Sequence, residues 1–145
     1  MAKIIPDLNL LVYAYDSSSQ WHQAARAWWK ERLSGSETIG LSLVVALGFV
    51  RLWTNPRVFR NPMSVDLACG HVESRLPRPM VELVHPGRRH TKLVFGFLRA
   101  EGAAATLTTD AHLAALAVEQ NATVHTTDLD FHRFSGVRFL NPLRP

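Results

Sequence analysis

Cysteine is nearly missing from this chain: Cys69 is the one thiol among 145 residues. An internal disulfide is therefore excluded, and so is a metal cluster built on several thiolates. Long apolar runs are missing too. The longest, residues 41–50, ends at Arg51 and falls well short of the roughly 20 residues that a membrane-spanning helix needs. The first residues show no basic segment followed by an apolar stretch, the pattern of a secretory leader, so a cytoplasmic location with no membrane partner is expected. There is no internal repeat, no low-complexity tract and no Pro- or Ser-rich linker, which predicts a single domain over residues 1–145. Charged residues are scarce at 19%, against 47% hydrophobic, which excludes a disordered chain. Acids are outnumbered, giving a net charge of +4. That balance favours polyanions or an acidic protein as partner without choosing between them.

Against this background a few carboxylates stand out by their setting. Near the N-terminus, Ile4-Ile5-Pro6 runs into Asp7, and an apolar helical pattern follows at once through Leu8, Leu11, Val12 and Tyr15. This reads as a short buried strand whose C-terminal end delivers Asp7 to the rim of a sheet. In open α/β sheets, ligands bind outside those strand ends. Asp110 follows Leu107-Thr108-Thr109, and Asp128 follows Ala122-Thr123-Val124-His125-Thr126-Thr127, so the order of strand end then acid is expected three times.

Between these points the pattern alternates strands with helices. Helices are predicted over residues 8–15, 20–33, 43–53, 65–76 and 88–100, with a sixth opening at Thr109-Asp110 and closing at Asn121. Strands are predicted over residues 80–84, 122–125 and 137–140, the last at an edge. Such alternation implies a mainly parallel central sheet in a three-layer α/β/α sandwich. Trp28 and Trp29 are expected in the core, with a groove for a partner helix as the rival reading. The loop through Arg57, Phe59 and Arg60 suits either phosphate contact and base stacking or an ordinary connector with Phe59 turned inward.

Taken singly, each acid has a plain structural explanation. Asp7 suits a helix N-cap, Asp110 a first-turn acid, and Asp128 and Asp130 a turn. Taken together they carry more. Parallel connections bring strand ends side by side, and crowded carboxylates repel one another. A divalent cation relieves that repulsion, and oxygen-only ligands favour Mg²⁺ or Mn²⁺ over zinc. Such an ion activates water for attack on a phosphodiester.

Ile-Ile-Pro-Asp7-Leu-Asn9-Leu-Leu-Val-Tyr-Ala resembles the opening motif of the PIN-domain ribonucleases, in particular the VapC-type toxins of bacterial toxin–antitoxin pairs. Thr-Thr-Asp110-Ala-His-Leu-Ala-Ala-Leu-Ala resembles a later motif of that family, and His-Thr-Thr-Asp128-Leu-Asp130-Phe131 resembles the last. The segment from Gly48 through Arg51 to Phe59 is similar to the central part of one VapC subgroup. The resemblance implies a PIN-like fold and a Mg²⁺-dependent endoribonuclease that acts as the toxin of a type II pair. It also implies a homodimer, silenced by a cognate antitoxin. Asp7, Asp110 and Asp128 would be the catalytic metal ligands, with Asn9 orienting Asp7 and Asp130 in support.

One departure stands out: many family members carry a glutamate where this chain has Gly48. The rival reading is therefore a catalytically weakened PIN-like module that binds RNA or a partner. A second rival, an aspartate-nucleophile phosphatase, wants a carboxylate two residues after the nucleophile, and Asn9 stands there. Arg57, Arg60, Arg88 and Arg89 are candidates for substrate phosphates, and His112 and His132 for proton transfer.

Overall fold

The computed structural model describes residues 2–144. At its centre lies β1 (Lys3–Pro6), whose Ile4 and Ile5 are buried. Around it a five-stranded sheet forms in the order β3-β2-β1-β4-β5, with β2 at Thr38–Ser42, β3 at Val81–Val84, β4 at Thr123–His125 and β5 at Phe139–Leu140. Every neighbouring pair is parallel. Parallel neighbours cannot be joined by a tight turn, so helices carry the crossovers.

Helices α1 (Leu8–Tyr15) and α2 (His22–Ser34) join β1 to β2. Helices α3 (Leu43–Trp53) and α4 (Val65–Glu73) join β2 to β3, and α5 (His90–Glu101) and α6 (Leu107–Gln120) lead back to β4. A short 3₁₀ turn, Leu129–Arg133, precedes β5. The chain builds outward from β1 to β3, then returns to lay β4 on the other flank of β1. The point of reversal lies between β1 and β4, which is where open α/β sheets leave a crevice for ligands.

Local chemistry explains several boundaries. Ser42 ends β2 and caps α3, its hydroxyl accepting from the Val44 amide at 3.2 Å. Ser64 caps α4 through the Leu67 amide at 3.1 Å. Asn121 closes α6 in the left-handed region at φ 52°, a conformation asparagine tolerates better than most residues. The closure at Asn121 agrees with the sequence reading, as does the edge position of β5.

Three differences are informative. Strand β2 is not apparent in the sequence, because Gly40 interrupts its apolar pattern. Packing is tight at that glycine: a Cβ there would lie 3.0 Å from Val84 Cγ1 and 3.3 Å from Ile5 Cγ1. Helix α6 begins at Leu107, so Asp110 sits in its first turn and not behind a strand, a correction to the expected threefold pattern. The β propensity of Leu107-Thr108-Thr109 is overridden by packing, with Leu107 and Ala111 buried on the inner face of the helix. Helix α4 stops at Glu73, short of residue 76.

Trp28 and Trp29 are buried and stack with ring centroids 5.7 Å apart, so they belong to the core. Phe59 lies flat on Trp53 at 3.8 Å with rings 3° from parallel, so the aromatic of that loop is turned inward. Among the described residues no helix is long and apolar enough to cross a membrane.

Candidate functional site

Asp7 is the first residue beyond β1. Its amide donates to the His125 carbonyl at 2.9 Å, extending the β1–β4 pairing by one step. Both carboxylate oxygens are engaged. Oδ1 accepts from the Leu8 amide at 2.7 Å, which caps α1. Oδ2 accepts from the Thr126 hydroxyl at 2.8 Å. That hydroxyl oxygen in turn accepts from the Asp128 amide at 2.9 Å. Asp128 Oδ1 then accepts from the Asp130 amide at 2.8 Å. A continuous hydrogen-bonded path therefore ties the end of β1 to the turn after β4.

Asp110 arrives from a third direction, on the first turn of α6, a helix packed against both β1 and β4. Single carboxylate oxygens of Asp110, Asp128 and Asp130 all lie within 4.8 Å of one another. Asp7 is outside that trio but couples to it electrostatically. Burial pushes the Asp110 carboxyl up to about 7, and the charges of Asp7, Asp128 and Asp130 push in the same direction. Burial likewise raises Asp7; its hydrogen bonds to Thr126 and Leu8 oppose the rise, and Asp128 adds to it. The four acids therefore form one repelling cluster.

Little in the protein balances that charge. Among the described residues the ion pair reaching the cluster is Asp130 with Arg133 at 3.3 Å, and Arg133 is also held by Glu101 at 2.6 Å. Several half-buried, oxygen-only donors at short mutual distances are what a small hard cation requires. The residues present fit Mg²⁺ or Mn²⁺.

The remaining candidates fall as follows. Asn9 is half-buried on α1 and makes no hydrogen bond to Asp7; its Oδ1 is buried without a partner. The side chain that holds Asp7 is Thr126, which is 1% exposed. Sequence reasoning missed it, because Thr126 reads there as one more residue of the turn that follows the strand. Gly48 is buried on α3, and a Cβ there would meet Leu8 Cδ2 at 2.7 Å, so Leu8 fills the space of any side chain at position 48. His112 is hydrogen-bonded to His90 at 2.8 Å, between α5 and α6. His132 is exposed and its ring bonds the Leu129 carbonyl. Arg57, Arg60, Arg88 and Arg89 are exposed, and their side chains enter no ion pair among the described residues.

Residues 4–137 match the PIN domain family model. The chain belongs to the PIN-domain family. Within it, the resemblance to VapC-type members holds over almost the whole length. Ribonuclease VapC33 of Mycobacterium tuberculosis is 40% identical over 141 residues, 97% of this chain and 99% of that protein. Ribonuclease VapC37 of the same species is 40% identical over 138 residues, 95% and 96% of the two chains. Among solved structures, VapBC-1 of nontypeable Haemophilus influenzae superposes with a TM-score of 0.71 at 13% identity, covering 98% of this chain and 99% of that one. VapC20 of M. tuberculosis, described as a toxin cleaving the sarcin–ricin loop, gives 0.68 at 17% identity, covering 93% and 98%. These two structural likenesses establish the PIN fold, and the sequence relatives establish the VapC kinship.

Proposed function

We propose that this chain is the toxin of a type II toxin–antitoxin pair and acts, as one domain, as an endoribonuclease. Asp7, Asp110 and Asp128 would hold a Mg²⁺ or Mn²⁺ ion, with Asp130 close enough to join them. The observation that carries this reading is the meeting of acids from three distant segments at the β1–β4 reversal, where burial, with the charges of Asp7, Asp128 and Asp130 adding to it, raises Asp110 to about 7. The relatives named as ribonucleases support the reaction class.

In the proposed reaction water attacks phosphorus in line, the P–O3′ bond breaks, and the 3′ oxygen leaves as a hydroxyl once protonated, giving 5′-phosphate and 3′-hydroxyl ends. A cation bound here supplies Lewis acidity that activates water and offsets charge on the phosphate. The protein contributes position. Thr126 and the Leu8 amide hold both oxygens of Asp7 in one orientation, and Thr126 also holds the backbone of Asp128. Such fixed side chains keep catalytic geometry without further ordering during the reaction. Arg57, Arg60, Arg88 and Arg89 are proposed to hold substrate phosphates; they are exposed and enter no ion pair among the described residues.

A cognate antitoxin is the expected protein partner. Structural neighbours that are toxin–antitoxin assemblies support this, VapBC2 of Rickettsia felis bound to a promoter DNA fragment among them. So do Leu43, Val44 and Leu47 of α3, which are 51%, 39% and 60% exposed and form an apolar patch of the kind that partners cover. The homodimer remains part of the proposal. The weakened-module alternative has only Gly48 in its favour. The test is cleavage of purified RNA by wild type, Asp7→Asn and Asp128→Asn, each with Mg²⁺ and with chelator. Cleavage by wild type with Mg²⁺ alone is expected; intact RNA in every lane would overturn the enzymatic reading.

A further inference from the structure

The outer face of helix α5 takes no part in the acid cluster. His90 and Val94 are buried, and Phe97 packs on Phe134, so these three mark the inner side of the helix. Lys92, Phe95, Gly96 and Arg99 are exposed. They fall at i, i+3, i+4 and i+7, which places them on one outer stripe. Arg88 and Arg89, at the start of the helix, add two more exposed cations. None of these four cations enters an ion pair among the described residues. Glu101, the one carboxylate of the helix, is already held by Arg133 at 2.6 Å. The stripe is therefore positive along its length, with an aromatic ring set between its cations and no acid to balance them.

Beside the stripe lies a hollow of about 350 Å³, lined by Arg89, Lys92, Leu93, Gly96 and Phe97, within the size range of small-ligand sites. Leu93 and Phe97 give it an apolar floor, and Arg89 and Lys92 a cationic rim. Gly96 keeps it open, since a Cβ there would meet nothing within 4 Å. A mid-helix glycine costs stability relative to alanine, and no neighbouring element here requires one. The stripe also has a direction, because the C-terminal end of α5 reaches the acids. Arg133 bridges Glu101 and Asp130. Phe97 lies 5.2 Å from Phe134, which closes the 3₁₀ turn that Asp128 caps. Phosphates complement the cations, and a nucleobase complements the flat apolar floor. A base can enter only when unstacked, so the strand must be single. The same cations would suit an acidic protein, but a track that ends at the proposed cleavage site favours the substrate.

We propose that the outer face of α5 is the track for a single-stranded RNA segment next to the bond to be cut, with phosphates on Arg89, Lys92 and Arg99 and one unstacked base in the hollow at Gly96. This rests on the ribonuclease reading above. The test measures binding of a short, unstructured, fluorescein-labelled RNA by anisotropy, in chelator to hold cleavage off, over a range of salt concentrations. Gly96→Leu fills the hollow without changing charge. It should weaken binding about tenfold, the scale of one lost stacked base, and leave the salt dependence as it is. Its side chain enters open space and favours helix, so it should melt no lower than wild type. Lys92→Gln and Arg99→Gln should each flatten the logarithmic salt slope by about 0.7, which is one phosphate contact on a single strand. Arg26→Gln removes an exposed cation from α2 and should change neither affinity nor slope. Unchanged affinity in folded Gly96→Leu, or equal losses in Lys92→Gln and Arg26→Gln, would overturn the track. So would loss of a dimer in sedimentation with RNA affinity intact, which would make this face a contact between copies of the chain. RNA cleavage by wild type with binding untouched by the α5 variants sinks this proposal alone; RNA held on α5 yet uncut with Mg²⁺ sinks the nuclease reading instead.

Discussion

Removing the charge of Asp110 should stabilise the metal-free protein, and only above the pH at which that charge forms. The carboxyl titrates at about 7 in the fold against an ordinary value of 3.8. The folded state therefore holds this proton more tightly than the unfolded chain does. By linkage, stability falls as pH rises from about 4 to about 7, and the loss is complete above that range. At full strength such a shift corresponds to ~4 kcal/mol. Asp110 is half-exposed, and solvent screening reduces the figure to about 1–2 kcal/mol. For a domain of this size that is about 3–6 °C in melting temperature. Thermal melts of wild type and Asp110→Asn, in chelator at pH 4 and pH 8, measure it directly. The variant should melt higher at pH 8 and level with wild type at pH 4. Added Mg²⁺ should raise wild type and leave the variant much less changed. Equal melting temperatures across the whole range without metal would refute the idea that the acids repel one another.

Other expectations follow from the same geometry. Thr126→Val keeps the shape but orphans Asp7 Oδ2 and the Asp128 amide; it should cost about 1–3 kcal/mol in denaturant unfolding, with Thr126→Ser close to wild type. Gly48→Glu must displace Leu8, whose Cδ2 lies 2.7 Å from the new Cβ, so it should destabilise by about 1–3 kcal/mol. Adding Leu8→Ala should relieve that strain and tighten Mg²⁺ binding by calorimetry; unchanged affinity in the double variant would show that position 48 does not reach the ion. Phe59→Ala removes the stack on Trp53 and should lower stability by about 1 kcal/mol or more while leaving RNA cleavage intact. A large loss of cleavage there would add Phe59 to the substrate contacts proposed for its loop.

Much of this architecture was readable before any coordinates. The run from Ile4 to Asp7 announces both a buried strand and an acid at its end, because β-branched residues and a helix start leave one reading of the segment. Helix α3 was legible to the residue, since Ser42 and Asn55-Pro56 bracket its apolar stretch. What escaped notice depended on tertiary contacts. Strand β2 hides behind Gly40, whose lack of a side chain makes sense only against Ile5 and Val84. Asp110 reached the cluster as expected, yet on a helix and not at a strand end, because burial of Leu107 and Ala111 outweighed local β preference. Thr126 could not be singled out, since its role exists only once Asp7 is opposite. Asn9 was expected against Asp7, but its place in α1 turns it elsewhere. Arg57, Arg60, Arg88 and Arg89 remain readable only as exposed positive charge.

The most direct measurement is Mn²⁺ binding followed by electron paramagnetic resonance, comparing wild type with Asp7→Asn, Asp110→Asn and Asp128→Asn in folded, metal-stripped protein. One clustered site predicts that each substitution weakens Mn²⁺ binding strongly and that Mg²⁺ competes for the same place in wild type. Wild-type affinity retained in any of the three would contradict a shared cation, and with it the central claim.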